Sequence, residues 1–378
     1  MRSGTFSPIL PLTSIRFFLA IHVVLLHSVF WMHRAHASTW LGRFSMTGYT
    51  AVGFFFVLSG YILSYVYLDS GRPFNRRAFW TSRFARAYPL LLLALLLDAP
   101  NYFLRKISLI GVDAAFVKTV GVFLSECALM QFMGHRFRNI ALPSWSLSSE
   151  AFFYLMFPFV ASRIWGRKGI NALGLFSVFW GCSLLAPLVV VASDPTELVT
   201  PGLTEVGSIL GVIPIFRIFE FLAGICLYSL QKTLAERLTP VQLNRLAFIF
   251  LVVACALYGA SVDFATHIPY VVMNNGLLLP VWGLLLLGLT NVHGWLAELL
   301  SHRHLVLLGE SSYSIYLLHW PLWSYFSRLR VIDTWRVWCI YLGVLVVVSM
   351  VSVFCFERPF RRKILAVASI PSQVAVKQ

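Results

Sequence analysis

Arg16 and His27 stand eleven residues apart in the run IRFFLAIHVVLLH, which is otherwise apolar except for His22. On an α-helix, turning about 100° and rising about 1.5 Å per residue, the two fall within about 20° of one face and about 16 Å apart along the axis. They share a stripe. His22 falls well off it and reads as a packed or hydrogen-bonded bystander. An ionisable group this deep in an apolar helix is costly and faces a cavity, a partner or a pathway, which is the case for His27. Arg16 alone reads equally well as a boundary arginine that extends to lipid headgroups.

Further clusters repeat the pattern. In RRAFWTSRFARAYP, residues 76–89, Arg83 and Arg86 are three apart and share a helical face, where two guanidinium groups can grip an anion such as phosphate. Arg72, Arg76 and Arg77 read as topology-setting charges. In LPSWSLSSEAFFYLMFP, residues 142–158, Ser146, Glu150 and Tyr154 are spaced by four, so Glu150 can pair with a base or position one; its other reading is an acid favoured by a helix N-terminus. In FRIFEFLAG, Arg217 and Glu220 are three apart and can neutralise each other, a role that would be structural. In GESSYSIYLLHWP, Ser312, Tyr316 and His319 follow an i, i+4, i+7 pattern and form a polar seam of the kind that lines a cavity.

The elements that carry these groups must cross a membrane. Of the 378 residues, 58% are hydrophobic and 12% charged, far from the balance of a soluble domain. The fold class is an all-α polytopic membrane protein. A hydrocarbon core of about 30 Å needs about 20 helical residues. Spans are expected at 10–31, 47–67, 88–104, 147–162, 170–192, 211–230, 245–261, 270–290, 305–326 and 336–356, which makes about ten transmembrane helices. With both termini cytoplasmic, most of the 30 Lys and Arg residues fall on the inner side, so the net charge of +15 reads as positive-inside topology and not as nucleic-acid binding. The loop DPTELVTPGLTE, 194–205, has the acidic character of an outer loop. Residues 105–146 read as a long outer segment whose apolar part, 117–133, is re-entrant. Residues 1–363 form a single transmembrane domain and 364–378 a short cytoplasmic tail. The six cysteines are dispersed with no CxxC spacing, so no metal site is expected.

Taken in order, the motifs resemble the acyltransferase 3 family of integral membrane acyltransferases. They are Arg16 to His27 as R-x10-H, FFFVLSGYIL at 54–63, Arg83, Arg86 and Pro89 as RxxR with its proline, WSLSSE with Tyr154, the RIFEFLAG stretch, GESSYSIYLLH ending at His319, and ERP at 357–359. The resemblance covers about residues 12–363. It implies a membrane O-acyltransferase, most often an O-acetyltransferase, that takes an acyl group from acyl-CoA on the cytoplasmic side. The acceptor is a hydroxyl of a cell-surface glycan or lipid-linked sugar, and the location a bacterial cytoplasmic membrane. His27 carries over as the catalytic histidine, and Arg16, Arg83 and Arg86 as residues needed for function, with donor binding the role they suggest. An appended hydrolase-like domain of the kind some members carry is not expected.

These roles suit the spacing: arginines at the mouth and an imidazole about 16 Å deeper could hold the phosphate and thioester ends of coenzyme A. His27 would act as general base on the acceptor hydroxyl and Glu150 would orient it. Tyr316 and His319 are candidates for acceptor binding or oxyanion stabilisation. The competing readings are a transporter or flippase with an Arg/Glu/His relay, and a scaffold in which the polar groups only join helices.

Overall fold

The computed structural model describes residues 7–32, 39–68, 74–131, 139–164, 171–193, 205–265, 267–328 and 335–368, and over these the protein is helical throughout. In chain order come α1 (Leu10–Met32), the short α2 (Trp40–Met46), which runs through a 3-10 turn into α3 (Thr50–Tyr67), then α4 (Arg76–Ile110), α5 (Val112–Cys127), α6 (Trp145–Ile164) and α7 (Ala172–Ser193). They are followed by α8 (Glu205–Val212), α9 (Pro214–Arg237), α10 (Pro240–Asp263), the single turn α11 (Tyr270–Val272) and α12 (Leu279–Asn291). The chain closes with α13 (Trp295–Leu300), α14 (Arg303–Glu310), α15 (Ser312–Arg328), α16 (Trp335–Ser352) and α17 (Arg358–Val367). Local chemistry sets several boundaries. The Asn75 side chain caps α4 by accepting from the Ala78 amide at 3.0 Å, and Thr239 and Gln242 form a capping box at the start of α10, with Pro240 between them.

Among the described residues, eight helical stretches are long and apolar enough to cross a bilayer: Leu10–Ser28, Trp40–Tyr67, Arg76–Ile110, Ala172–Ser193, Pro214–Arg237, Pro240–Asp263, Tyr270–Asn291 and Arg336–Val367. The two expected spans outside this set, 147–162 and 305–326, are both helical but polar. The first lies in α6, whose opening turns hold Ser146, Ser148, Ser149 and Glu150. The second is divided between α14 and α15, so neither piece has the length.

The segment 105–146 is helical over its first part. α4 runs on to Ile110, Gly111 turns the chain at φ +79°, and α5 packs back along α4, so the segment begins as a helical hairpin. At 16 residues α5 is short of the length a full crossing needs. The tail expected from 364 starts inside α17; residues 369–378, Arg72 and most of the loop 194–205 lie outside the described residues.

Three helices run parallel and carry the polar seam. On α15, Tyr313 donates to the Ala87 carbonyl at 2.7 Å, Tyr325 to Leu97 at 2.8 Å and Arg328 to Asn101 at 3.0 Å, a rising register along α4. α1 packs along α14 and α15, with Gly309 of α14 against Thr13 and His319 of α15 against His27. α3 and α9 pack face to face through glycines and form the buried centre.

Candidate active site

A cleft enclosing about 1010 Å³, including its open mouth, lies where α1, α3, α4, α6 and α15 meet. Arg16 enters from α1, Arg83 and Arg86 from α4, Glu150 and Tyr154 from α6, and Tyr313 from α15. The helical spacings foreseen in the chain make this possible: Arg83 and Arg86 share one face of α4, and Glu150 and Tyr154 one face of α6. Arg83, 5% exposed, lies between two phenols, with its guanidinium carbon 5.8 Å from the Tyr67 ring centre and 5.9 Å from that of Tyr154. Glu150 has Arg86, Arg16 and Arg83 as its electrostatic neighbours and hydrogen-bonds with Tyr154.

Two residues outside the expected set complete the cluster. Arg361, on α17, faces Arg83 and Arg86 as well as Glu357. Glu357 accepts a hydrogen bond from Ser314 and has Arg86 and Arg16 among its neighbours. Four guanidinium groups thus share a site with two carboxylates. The Nε of Arg83 and both Nε and one terminal nitrogen of Arg361 are buried and find no hydrogen-bond acceptor among the described residues. Buried donors of this kind normally have a partner. Glu357 and Arg361 are four apart and so share a helix face, yet they stand in a basic stretch, FERPFRRK, where one more arginine offers no contrast.

His27 is not part of the cleft lining. Its Nδ1 stands 2.9 Å from Nε2 of His319, and the two ring planes are within 6° of parallel. Nδ1 of His319 contacts the Tyr316 carbonyl oxygen at 2.7 Å, so both nitrogens of His319 are engaged. Trp320 sets its ring edge against His27, centroids 6.0 Å apart, and its indole nitrogen is buried without an acceptor among the described residues. Tyr313, at the cleft, precedes His319 by six residues on α15, which puts the histidine pair about 9 Å farther along that helix.

The remaining candidates have other surroundings. Tyr316 spends its hydroxyl on the Pro143 carbonyl at 3.1 Å and on Ser146 at 2.8 Å, fastening α15 to the start of α6. The Ser312 hydroxyl is buried without a partner among the described residues. Arg217 and Glu220 form an ion pair at 3.1 Å away from the cleft. Arg217 also holds the Asn274 carbonyl and Asn275 Oδ1, fixing the non-helical bend between α11 and α12 at Asn275 and Gly276. His22 lies flat against Phe44 and bonds its carbonyl at 2.6 Å, the packed role read for it.

The site therefore defines a class: a multi-pass membrane protein with a cationic cleft and, farther along the same helix, a pair of histidines in contact. More particularly, the family model described as an acyltransferase domain matches residues 12–354, and the chain belongs to the acyltransferase 3 family. It is 27% identical over 345 residues to a putative peptidoglycan O-acetyltransferase of Bacillus subtilis, covering 83% of this chain and 50% of the relative. It is 23% identical to the peptidoglycan O-acetyltransferase OatA of Listeria monocytogenes, covering 83% of this chain and 51% of the relative. With the acyltransferase MdmB of Streptomyces mycarofaciens it shares 29% identity, over 84% of this chain and 80% of the relative. The chain thus spans about half the length of the two peptidoglycan O-acetyltransferases. No solved structure matches it.

Proposed function

We propose that the protein is an acyl-CoA-dependent O-acetyltransferase that moves an acetyl group from the cytoplasmic side to a hydroxyl of a cell-surface glycan or lipid-linked sugar, in a bacterial cytoplasmic membrane. The observation that carries this reading is the convergence of Arg16, Arg83 and Arg86 on one cleft with Arg361 beside two of them, and with buried donors of Arg83 and Arg361 that find no acceptor among the described residues. Such a cluster fits a diphosphate, to which guanidinium groups bind through paired, charge-assisted hydrogen bonds. The basic ends of α4 and α17 sit together there, which suits the cytoplasmic face.

The donor's phosphates bind to the four arginines, which Glu150 and Glu357 orient. Its extended arm runs along α15 toward the histidine pair. His27 Nε2 takes the proton of the acceptor hydroxyl as that oxygen attacks the thioester carbonyl. The carbon–sulfur bond breaks, and the departing thiolate receives the proton from His27. The relatives named as peptidoglycan O-acetyltransferases support a carbohydrate acceptor.

The test is to supply acetyl-labelled acetyl-CoA to membranes holding the protein or its His27→Ala variant. Label should appear in a surface glycan or lipid-linked sugar only with the former. Equal labelling by an inserted, folded His27→Ala protein would remove His27 from the reaction.

A further inference from the structure

We propose that His319 is a positioning residue that holds His27 in a single tautomer, with its proton on Nδ1 and a bare lone pair on Nε2. The inference rests on the proposed acyl transfer for its catalytic meaning, but the hydrogen-bond chain can be read without it.

The chain starts at an atom whose role is fixed. A backbone carbonyl oxygen only accepts, so the 2.7 Å contact between His319 Nδ1 and the Tyr316 carbonyl requires the proton to lie on Nδ1. Nε2 of the neutral His319 ring is then an acceptor. It lies 2.9 Å from His27 Nδ1, which must donate. The lone pair of His27 is left on Nε2, the nitrogen that a base working on a hydroxyl needs.

Ring geometry shows that the contact is an in-plane hydrogen bond. The ring centroids are 5.1 Å apart, almost the largest separation that an N···N distance of 2.9 Å permits between two imidazoles. The line between the nitrogens therefore runs nearly through both ring centres, and with planes 6° apart the rings lie edge to edge in one plane. A lone pair in that plane points straight at the opposing N–H, the favoured alignment for a hydrogen bond. Face-to-face stacking could not bring the nitrogens this close.

The device does the work that an acid does for histidine in a Ser-His-Asp triad, orienting the ring and selecting its tautomer, but with a neutral ring anchored on a helix carbonyl. His319 is held in turn: it is 1% exposed, and the Tyr341 hydroxyl donates to the His319 carbonyl at 3.0 Å. When His27 gains the acceptor's proton at Nε2, its Nδ1–H still points at His319 Nε2, so the positive charge formed is met by a lone pair.

Two measurements test this. In steady-state kinetics with acetyl-CoA, His319→Leu should lower kcat by roughly 100-fold or more while leaving KM for acetyl-CoA within about twofold, the size of a lost general base. His319→Gln, whose amide oxygen can accept from His27 Nδ1–H, should recover at least about tenfold of that loss. A His319→Leu enzyme with near-normal kcat, or a folded His319→Gln enzyme no better than His319→Leu, overturns the proposal. Independently, nitrogen-15 spectra of histidine-labelled protein should show His27 protonated at Nδ1 with a coupling across the N···N bond. A neutral His27 protonated at Nε2 overturns the proposal. If wild-type membranes transfer no acetyl group at all, the proposed function fails, and the spectrum still decides the tautomer.

Discussion

Gly60 of α3 and Gly224 of α9 form a reciprocal contact: a Cβ on Gly60 would collide with the Phe221 carbonyl oxygen, and a Cβ on Gly224 with the Val57 carbonyl oxygen. Each glycine makes room for the other helix's backbone, the way small residues let membrane helices approach closely. Gly60→Ala and Gly224→Ala should each destabilise the protein by at least the usual overpacking cost of about 1–3 kcal/mol, because what they strike is backbone and cannot rotate away. Thermal unfolding in detergent measures this. An unchanged unfolding temperature in both variants would show that α3 and α9 can separate without loss.

Arg217 and Glu220 lie at the same helix pair but do another job. Both are fully or nearly buried, and Arg217 ties the Asn274–Asn275 bend to α9. Removing one partner of a buried ion pair leaves the other uncompensated, at a cost of about 3–5 kcal/mol. Arg217→Met should therefore reduce folded protein sharply, while whatever remains folded keeps an ordinary KM for acetyl-CoA. A stable Arg217→Met enzyme with a raised KM would instead move Arg217 into donor binding.

Much of this site was legible in the chain because polarity at depth stands out. Arg16, His27, Glu150 and Tyr154 are conspicuous in apolar surroundings, and helical spacing put Arg83 with Arg86, and Glu150 with Tyr154, on shared faces. The pairing of His27 with His319 could not be read, since it spans 292 positions and depends on α1 lying beside α15. Arg361 was hidden for the opposite reason, since its neighbours are as charged as it is, and Glu357 stands out only as the start of the ERP motif. The spans at 147–162 and 305–326 show the same limit, because the residues that serve the site are the ones that dilute the hydropathy by which a membrane helix is recognised.

Arg361 should reveal itself through the donor alone. If its buried donors hold phosphate oxygens, Arg361→Gln loses one charge-assisted contact, and KM for acetyl-CoA should rise by roughly tenfold with kcat nearly unchanged. Arg362, one position away and exposed, provides the control, and Arg362→Gln should leave KM within about twofold. Desulfo-coenzyme A, with the same phosphates, and pantetheine, without them, separate the cause. Arg361→Gln should weaken inhibition by the first and leave the second unchanged.

Glu150 provides the sharpest test of how the cleft is divided from the histidine pair. Its neighbours are Arg86, Arg16, Arg83 and Tyr154, whereas the ring that contacts His27 Nδ1 belongs to His319. A carboxylate placed this way orients guanidinium groups and offsets their mutual repulsion; it does not hold the imidazole. Glu150→Gln preserves shape and hydrogen bonding but removes the charge, so the arginines lose their alignment and KM for acetyl-CoA should rise several-fold, roughly 3–10-fold, with kcat falling less. If instead kcat collapsed by roughly 100-fold at unchanged KM, the carboxylate would be acting at the chemical step, and the relay through His319 would have to share its role with Glu150.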